Sequence, residues 1–123
     1  MPKTTVMNAD SAKITSPETE AVAKLLASEA DIHHASRSLK AMAHPLRLKI
    51  LCILGGAQET SVQDLVEMVG TSQSNISQHL SILRDKGILE SRKDANKVFY
   101  RIGDNRILRL MESMRLAFCS ADY

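Results

Sequence analysis

The sequence predicts a mainly α domain carrying one small β-hairpin, and three observations lead there. Hydrophobic residues make up 44% of the 123, but aromatics only 3%, and Trp is absent. The core must therefore be assembled from Leu, Ile, Val, Met and Ala, a palette that favours helices. Apolar positions recur at helical spacing through most of the chain after Pro17. Only one stretch, "ILESRKDANKVFYRI", is rich in β formers on both sides of a polar, basic turn. At 123 residues this is a single small domain. A short helical chain buries its apolar faces poorly alone, so oligomerisation is expected.

Residues 1–16, "MPKTTVMNADSAKITS", are polar and aperiodic and read as a flexible tail. Ser16 before Pro17 has the form of an N-cap with Pro at the first helical position. It opens a helical extension over residues 17–35, with a break expected near Asp31. Residues 36–103 hold the central unit. Pro45 restarts a helix through Leu46, Ile50, Ile53 and Leu54, which Gly55 and Gly56 stop. Ser61 caps "VQDLVEMVG", with Leu65, Val66 and Val69 inward and Gly70 as terminator. Ser72 caps "QSNISQHLSILRDKG", closed by Gly87, with Ile76, Leu80 and Leu83 on one stripe. Ser74, Ser77, Gln78 and Ser81 fall on the opposite side. After the hairpin, residues 104–123 form a last helix, capped by Asp104, and a tail. Its stripe of Ile107, Met111, Met114 and Phe118 is too apolar to stay wet, so it is expected to bury against a partner chain and the first helix.

A short helix, a tight turn and a second helix with an outer face of hydroxyls and amides describe a helix-turn-helix. On its second helix Ser72, Gln73, Ser74, Asn75, Ser77 and Gln78 are the candidate DNA contacts, because such side chains hydrogen-bond base edges in the major groove. The hairpin is then a wing, whose Arg92, Lys93, Lys97 and Arg101 reach the flanking phosphates. Charge distribution agrees. Residues 1–31 carry three Lys against five acids, while residues 84–109 carry eight Lys and Arg against four acids. A polar helix face alone is what any solvated helix shows. Turn, cap and basic hairpin in succession single out double-stranded DNA. A winged helix that binds only protein is the competing reading, and it would lack salt-dependent DNA binding. No apolar run approaches the roughly 18 residues of a membrane span and no secretory signal opens the chain, so a cytoplasmic protein is expected.

The segments "LKAMAHPLRLKILCIL" and "TSVQDLVEMVGTSQSNISQHLSILRDKGILESRKDANKVFYRI" together resemble the ArsR family of winged-helix repressors over residues 36–119. That resemblance implies a homodimer held by its first and last helices, bound to a pseudo-palindromic operator and released by an effector. The metal sites of the family's sensors are not matched. "TSVQDL" stands where arsenic sensors carry Cys-x-Cys, and "NRILRLMESMRLAF" offers no His and only Glu112 as a carboxylate. Two thiols alone close a zinc site poorly, since zinc takes about four ligands. His33 and His34 are read as surface residues, and His44 and His79 as structural. No metal or other cofactor is expected, although a metal-responsive repressor with an unusual site stays open as an alternative.

Two cysteines remain, Cys52 in "ILCIL" and Cys119 in "AFCSADY". Either alone reads as a small buried hydrophobe. Together they match the thiol pair of the SqrR/BigR/HlyU-like dithiol branch. The resemblance thus implies redox or persulfide sensing through a disulfide or polysulfide bridge, with reactive sulfur species or an oxidant as effector. A disulfide needs Cα atoms about 5.5 Å apart, and added sulfur spans a wider gap. Such a bridge would tie the last helix to the helix beneath the reading head and shift two recognition helices that must sit about 34 Å apart. A differential of ~3 kcal/mol lowers operator affinity more than a hundredfold. A thiol-dependent enzyme is the remaining alternative, disfavoured because there is no Cys-x-x-Cys and no base beside either thiol.

Overall fold

The computed structural model describes residues 16–118. The chain packs as two units, residues 1–36 and residues 37–123. In the first, helix α1 (Pro17–Ala27) starts as expected, the Ser16 hydroxyl accepting the Thr19 amide at 3.1 Å. It ends at Ser28, three residues before the anticipated break. Ser28 sends its own amide to the Leu25 carbonyl and accepts the Asp31 amide on its hydroxyl at 3.2 Å. One residue therefore closes α1 and opens α2 (Glu29–Met42).

The second unit holds the end of α2, then α3 (Pro45–Gly56), β1 (Thr60–Ser61), α4 (Val62–Val69), α5 (Gln73–Asp85), β2 (Leu89–Asp94), β3 (Lys97–Ile102) and α6 (Asn105–Phe118). Its core takes Met42 from α2, Ile50, Leu51 and Leu54 from α3, Leu65 from α4, and Ile76, Leu80 and Leu83 from α5. Leu89, Tyr100 and Ile102 close it from the sheet, with Ile88 just before β2. Ile76, Leu80 and Leu83 of α5 are wholly buried, each contributing about 2 kcal/mol of transfer free energy. That burial fixes which side of α5 faces outward.

The sheet is three-stranded and antiparallel, in the order β1-β3-β2. β1 is an addition to the expected hairpin, pairing Thr60 with Tyr100 and Ser61 with Phe99. The strands also run further than "ILES" and "VFYRI" suggest. Pairing continues from Leu89 and Ile102 to Asp94 and Lys97, leaving only Ala95 and Asn96 to turn the chain. Ala95 does so at φ +56, a left-handed conformation that costs a residue with a Cβ about 1–2 kcal/mol. Among the described residues no helix is long and apolar enough to cross a membrane.

Candidate nucleic-acid interface

The turn between α4 and α5 is built by local chemistry. Gly70 ends α4 at φ +82 and returns its amide to the Val66 carbonyl at 2.8 Å; a left-handed cap of this kind favours a residue without Cβ. Ser72 then caps α5, its hydroxyl accepting the Asn75 amide at 3.2 Å and lying 3.4 Å from the Ser74 hydroxyl. Asn75 turns back, donating from Nδ2 to Thr71 Oγ1 at 3.1 Å. Of the six α5 candidates, Ser72 and Asn75 thus serve the turn, and Thr71 is a member of it that the sequence did not reveal. Gln73, Ser74 and Gln78 are exposed and Ser77 is half-buried. These four stand on a helix whose opposite stripe is locked in the core, and their hydroxyl and amide groups are of the kind that can hydrogen-bond base edges.

The wing cations fall into two kinds. Arg92 donates from Nε and Nη2 to both carboxylate oxygens of Glu59 at 2.7 Å, lies 3.7 Å from Asp94, and stacks 4.6 Å over the Phe99 ring opposite it. The Arg92 hydrogen bonds hold the Glu59 carboxyl below its ordinary value, and the Glu59 carboxylate in turn raises Arg92. Arg101 pairs at 2.7 Å with Glu90, its cross-strand neighbour. Lys93 faces Val98 across the ladder and Lys97 faces Asp94. Neither lysine is in salt-bridge distance of a carboxylate among the described residues. The structure therefore brings the four cations onto one hairpin but offers only the two lysines without a resident anion.

Helix and wing meet in a cleft of about 210 Å³ whose wall includes Gln73 and Ser77 from α5, Gln63 from α4, and Asn96 and Lys97 from the wing. Gln63 and Asn96 were not singled out from sequence. Gln63 looks like any polar residue in a helix's first turn, and Asn96 like any turn residue. Their shared position signals them only once the strands are in register.

The α6 residues divide differently from expectation. Ile107 and Met111 are 5% and 3% exposed, buried in the chain's own core rather than offered to a partner. The reason is close helix packing: a Cβ added at Gly55 of α3 would stand 3.2 Å from Met111 Cβ. Met114 packs against that core from its edge. Phe118 is 78% exposed, with Leu110 and Leu116 also outward. Cys52, half-buried on α3, lines a small hollow with Met111, Glu112 and Arg115 of α6. Its expected partner Cys119 lies outside the described residues. Among those residues no three His, Cys, Asp or Glu side chains gather in a way that could hold a metal ion.

Comparison with known proteins gives this geometry a context. Residues 44–91 match the family model "Bacterial regulatory protein, arsR family". The chain is 37% identical over 91 residues to the HTH-type transcriptional regulator YgaV of Escherichia coli (strain K12), covering 74% of this chain and 92% of that relative. It is 37% identical over 84 residues to the biofilm growth-associated repressor of Agrobacterium fabrum, covering 68% of this chain and 71% of the relative. Among solved structures, HlyU from Vibrio cholerae N16961 superposes with a TM-score of 0.73 at 38% identity, over 76% of this chain and all of that one. The transcriptional repressor BigR from Xylella fastidiosa does so with a TM-score of 0.69 at 33% identity, over 75% and 93%.

Proposed function

Because the chain belongs to the arsR family of bacterial regulatory proteins, and is a winged-helix transcriptional regulator rather than an enzyme, we propose that it is a homodimeric repressor switched by its two thiols. The observation that carries the DNA half is the outward face of Gln73, Ser74, Ser77 and Gln78, with Lys97 across a shared cleft and Lys93 on the same hairpin. Side chains that discriminate bases sit next to cations that neutralise phosphates. In the family's arrangement two such faces, one per protomer, meet an operator one helical turn apart. The exposed Leu116 and Phe118 on α6 suit that pairing.

For the switch, the supporting feature is the hollow beside Cys52. It is lined from α6 by Met111, Glu112 and Arg115, and Cys119 follows Phe118 directly in sequence. A bridge between Cys52 and Cys119 ties α6 to α3, the helix against which α5 packs. Two thiols lose two hydrogens to an oxidant in forming a disulfide. A persulfide donor instead passes its outer sulfur to one thiol and leaves as its own thiol. A second donor molecule takes up the two hydrogens as the bridge closes around that sulfur, departing as a thiol and hydrogen sulfide, as in the branch the chain resembles. Repression ends because the bridged dimer no longer presents both recognition helices at the operator spacing.

The test treats wild type, Cys52→Ser and Cys119→Ser with a persulfide donor and separately with peroxide, then measures DNA binding and intact mass. Each single variant is expected to bind like the reduced wild type and to stay bound after treatment. Wild type should be released, with a mass that shows the loss of two hydrogens, alone for a disulfide or together with added sulfur for a polysulfide bridge. Release that survives replacement of either cysteine would sink the switch and leave the DNA-binding reading intact.

A further inference from the structure

A polar joint fastens α5 to the helices behind it. The rings of His44 and His79 lie with centroids 4.6 Å apart, tilted by 37°. Arg47 Nη1 is 3.2 Å from His79 Nδ1, and Arg47 Nε donates to the Ala41 carbonyl near the end of α2. His44 caps α3, its Nδ1 accepting the Leu46 amide at 3.1 Å. A guanidinium only donates, as does a backbone N–H, so the Nδ1 of each ring is an acceptor and carries no proton. The His79 imidazole is therefore neutral, with its proton on Nε2.

A second proton on the His79 ring has only Nδ1 to occupy. It would displace the hydrogen bond there and set a new cation beside the permanent charge of Arg47. The influences on His79 all run the same way: burial first, then His44 and Arg47, hold its pKa below the ordinary value, and no carboxylate contributes an opposing effect.

We propose that His44, Arg47 and His79 are positioning residues for the recognition helix, a joint that locks α5 to the start of α3 and the end of α2 only while the His79 imidazole is neutral. The proposal rests on the reading of α5 as the element that enters DNA. A group whose folded-state pKa is depressed contributes fully above its unfolded value, here 6.5, and that contribution is lost as pH falls below it. Acidification should therefore loosen α5 and weaken specific binding. A histidine that merely lay beside phosphates would do the reverse, gaining affinity as it charged.

The experiment follows DNA affinity against pH at fixed salt, with a duplex enriched from a randomised pool by the wild-type protein at about pH 7.5. Between about pH 7.5 and 5.5 the wild type is expected to lose affinity several-fold, up to about tenfold, while circular dichroism shows the fold intact. His79→Asn keeps an acceptor oxygen in place of Nδ1 and does not titrate, so its profile should be flat. Affinity that rises on acidification, or a His79→Asn profile parallel to the wild type, overturns the joint. Histidine ring NMR without DNA supplies a reading independent of variant folding: His79 should titrate below 6.5, and titration at or above that value overturns the proposal. Should the wild type enrich no duplex while His79 still titrates low, the joint stands and the assignment of α5 to DNA falls.

Discussion

Removing the wing lysines tests whether resident anions decide which wing cations reach DNA. Lys93→Ala and Lys97→Ala each delete a cation with no carboxylate in salt-bridge distance, whereas Arg92→Ala deletes one already gripped bidentately by Glu59. Taking away one neutralised phosphate flattens the slope of log K against log salt by about 0.9. The double lysine variant in each protomer should thus lower the slope by about 1.8 for every protomer engaged. Over a fourfold rise in salt, from about 50 to 200 mM, the wild type then loses roughly tenfold more affinity per engaged protomer than the double variant. Arg92→Ala should leave the slope unchanged and lower the melting temperature, because it removes the Phe99 stack and orphans Glu59. The pairing holds through neutral pH: the Glu59 carboxyl sits below its ordinary value of 4.5, so its contribution is present above that value and is lost only as pH falls beneath it. Fluorescence anisotropy at several salt concentrations measures every slope. If Arg92→Ala flattens the slope as much as Lys93→Ala does, the ion pair withholds nothing and the distinction between the two kinds of cation is wrong.

Gln78→Ala should narrow the preference for an enriched duplex over a scrambled one by about 1–3 kcal/mol, since the side chain is exposed on the reading face; an unchanged ratio would remove it from base recognition. Ala95→Asn should raise stability by about 0.5–1 kcal/mol and the melting temperature by a few degrees, because Asn tolerates the φ of +56 that Ala resists. A melting temperature that stays level or drops would show the turn to be unstrained. Phe118→Glu charges the most exposed large apolar side chain of α6 and should convert a dimer into monomers in sedimentation at micromolar concentration. A wild type that is already monomeric there removes the paired-half-site scheme.

Much of this architecture is legible because its signals are local. Ser16, Ser61 and Ser72 each close a hydrogen bond to an amide three residues on, and Asp104 receives the Arg106 amide at 2.8 Å. Those contacts depend on nothing distant. The break at Ser28 is not legible, because a serine inside an apolar-periodic run can either continue a helix or interrupt it. β1 was invisible for another reason: two residues have no period, and they are a strand only because β3 has a free edge. Periodicity on α6 marked its apolar face without saying what covers it, which is why Ile107 and Met111 turn out to serve the chain's own core. Arg92 and Glu59 are 33 residues apart, and charge counting by segment could register Arg92 only as a free cation. The candidate site was thus found as a region from sequence. Its division into readers, frame and paired charges needed the fold.

Ser61 is at once the end of β1, paired with Phe99, and the cap of α4, holding the Asp64 amide at 3.1 Å. Sheet and helix-turn-helix consequently share a residue, so a shift of one is passed directly to the other. The wing, by contrast, has a tip whose reach the sequence can lengthen. Residues added to the tip in cross-strand pairs leave the register below undisturbed, and each pair carries the turn about 3.3 Å further out. A lone residue inserted between Glu90 and Lys93 does something quite different: it either bulges out of the ladder or turns the outer part of β2, Lys93 included, to the opposite face of the ribbon, while β3 stays held by β1. Growth of this hairpin in pairs is thus what preserves the aim of Lys93.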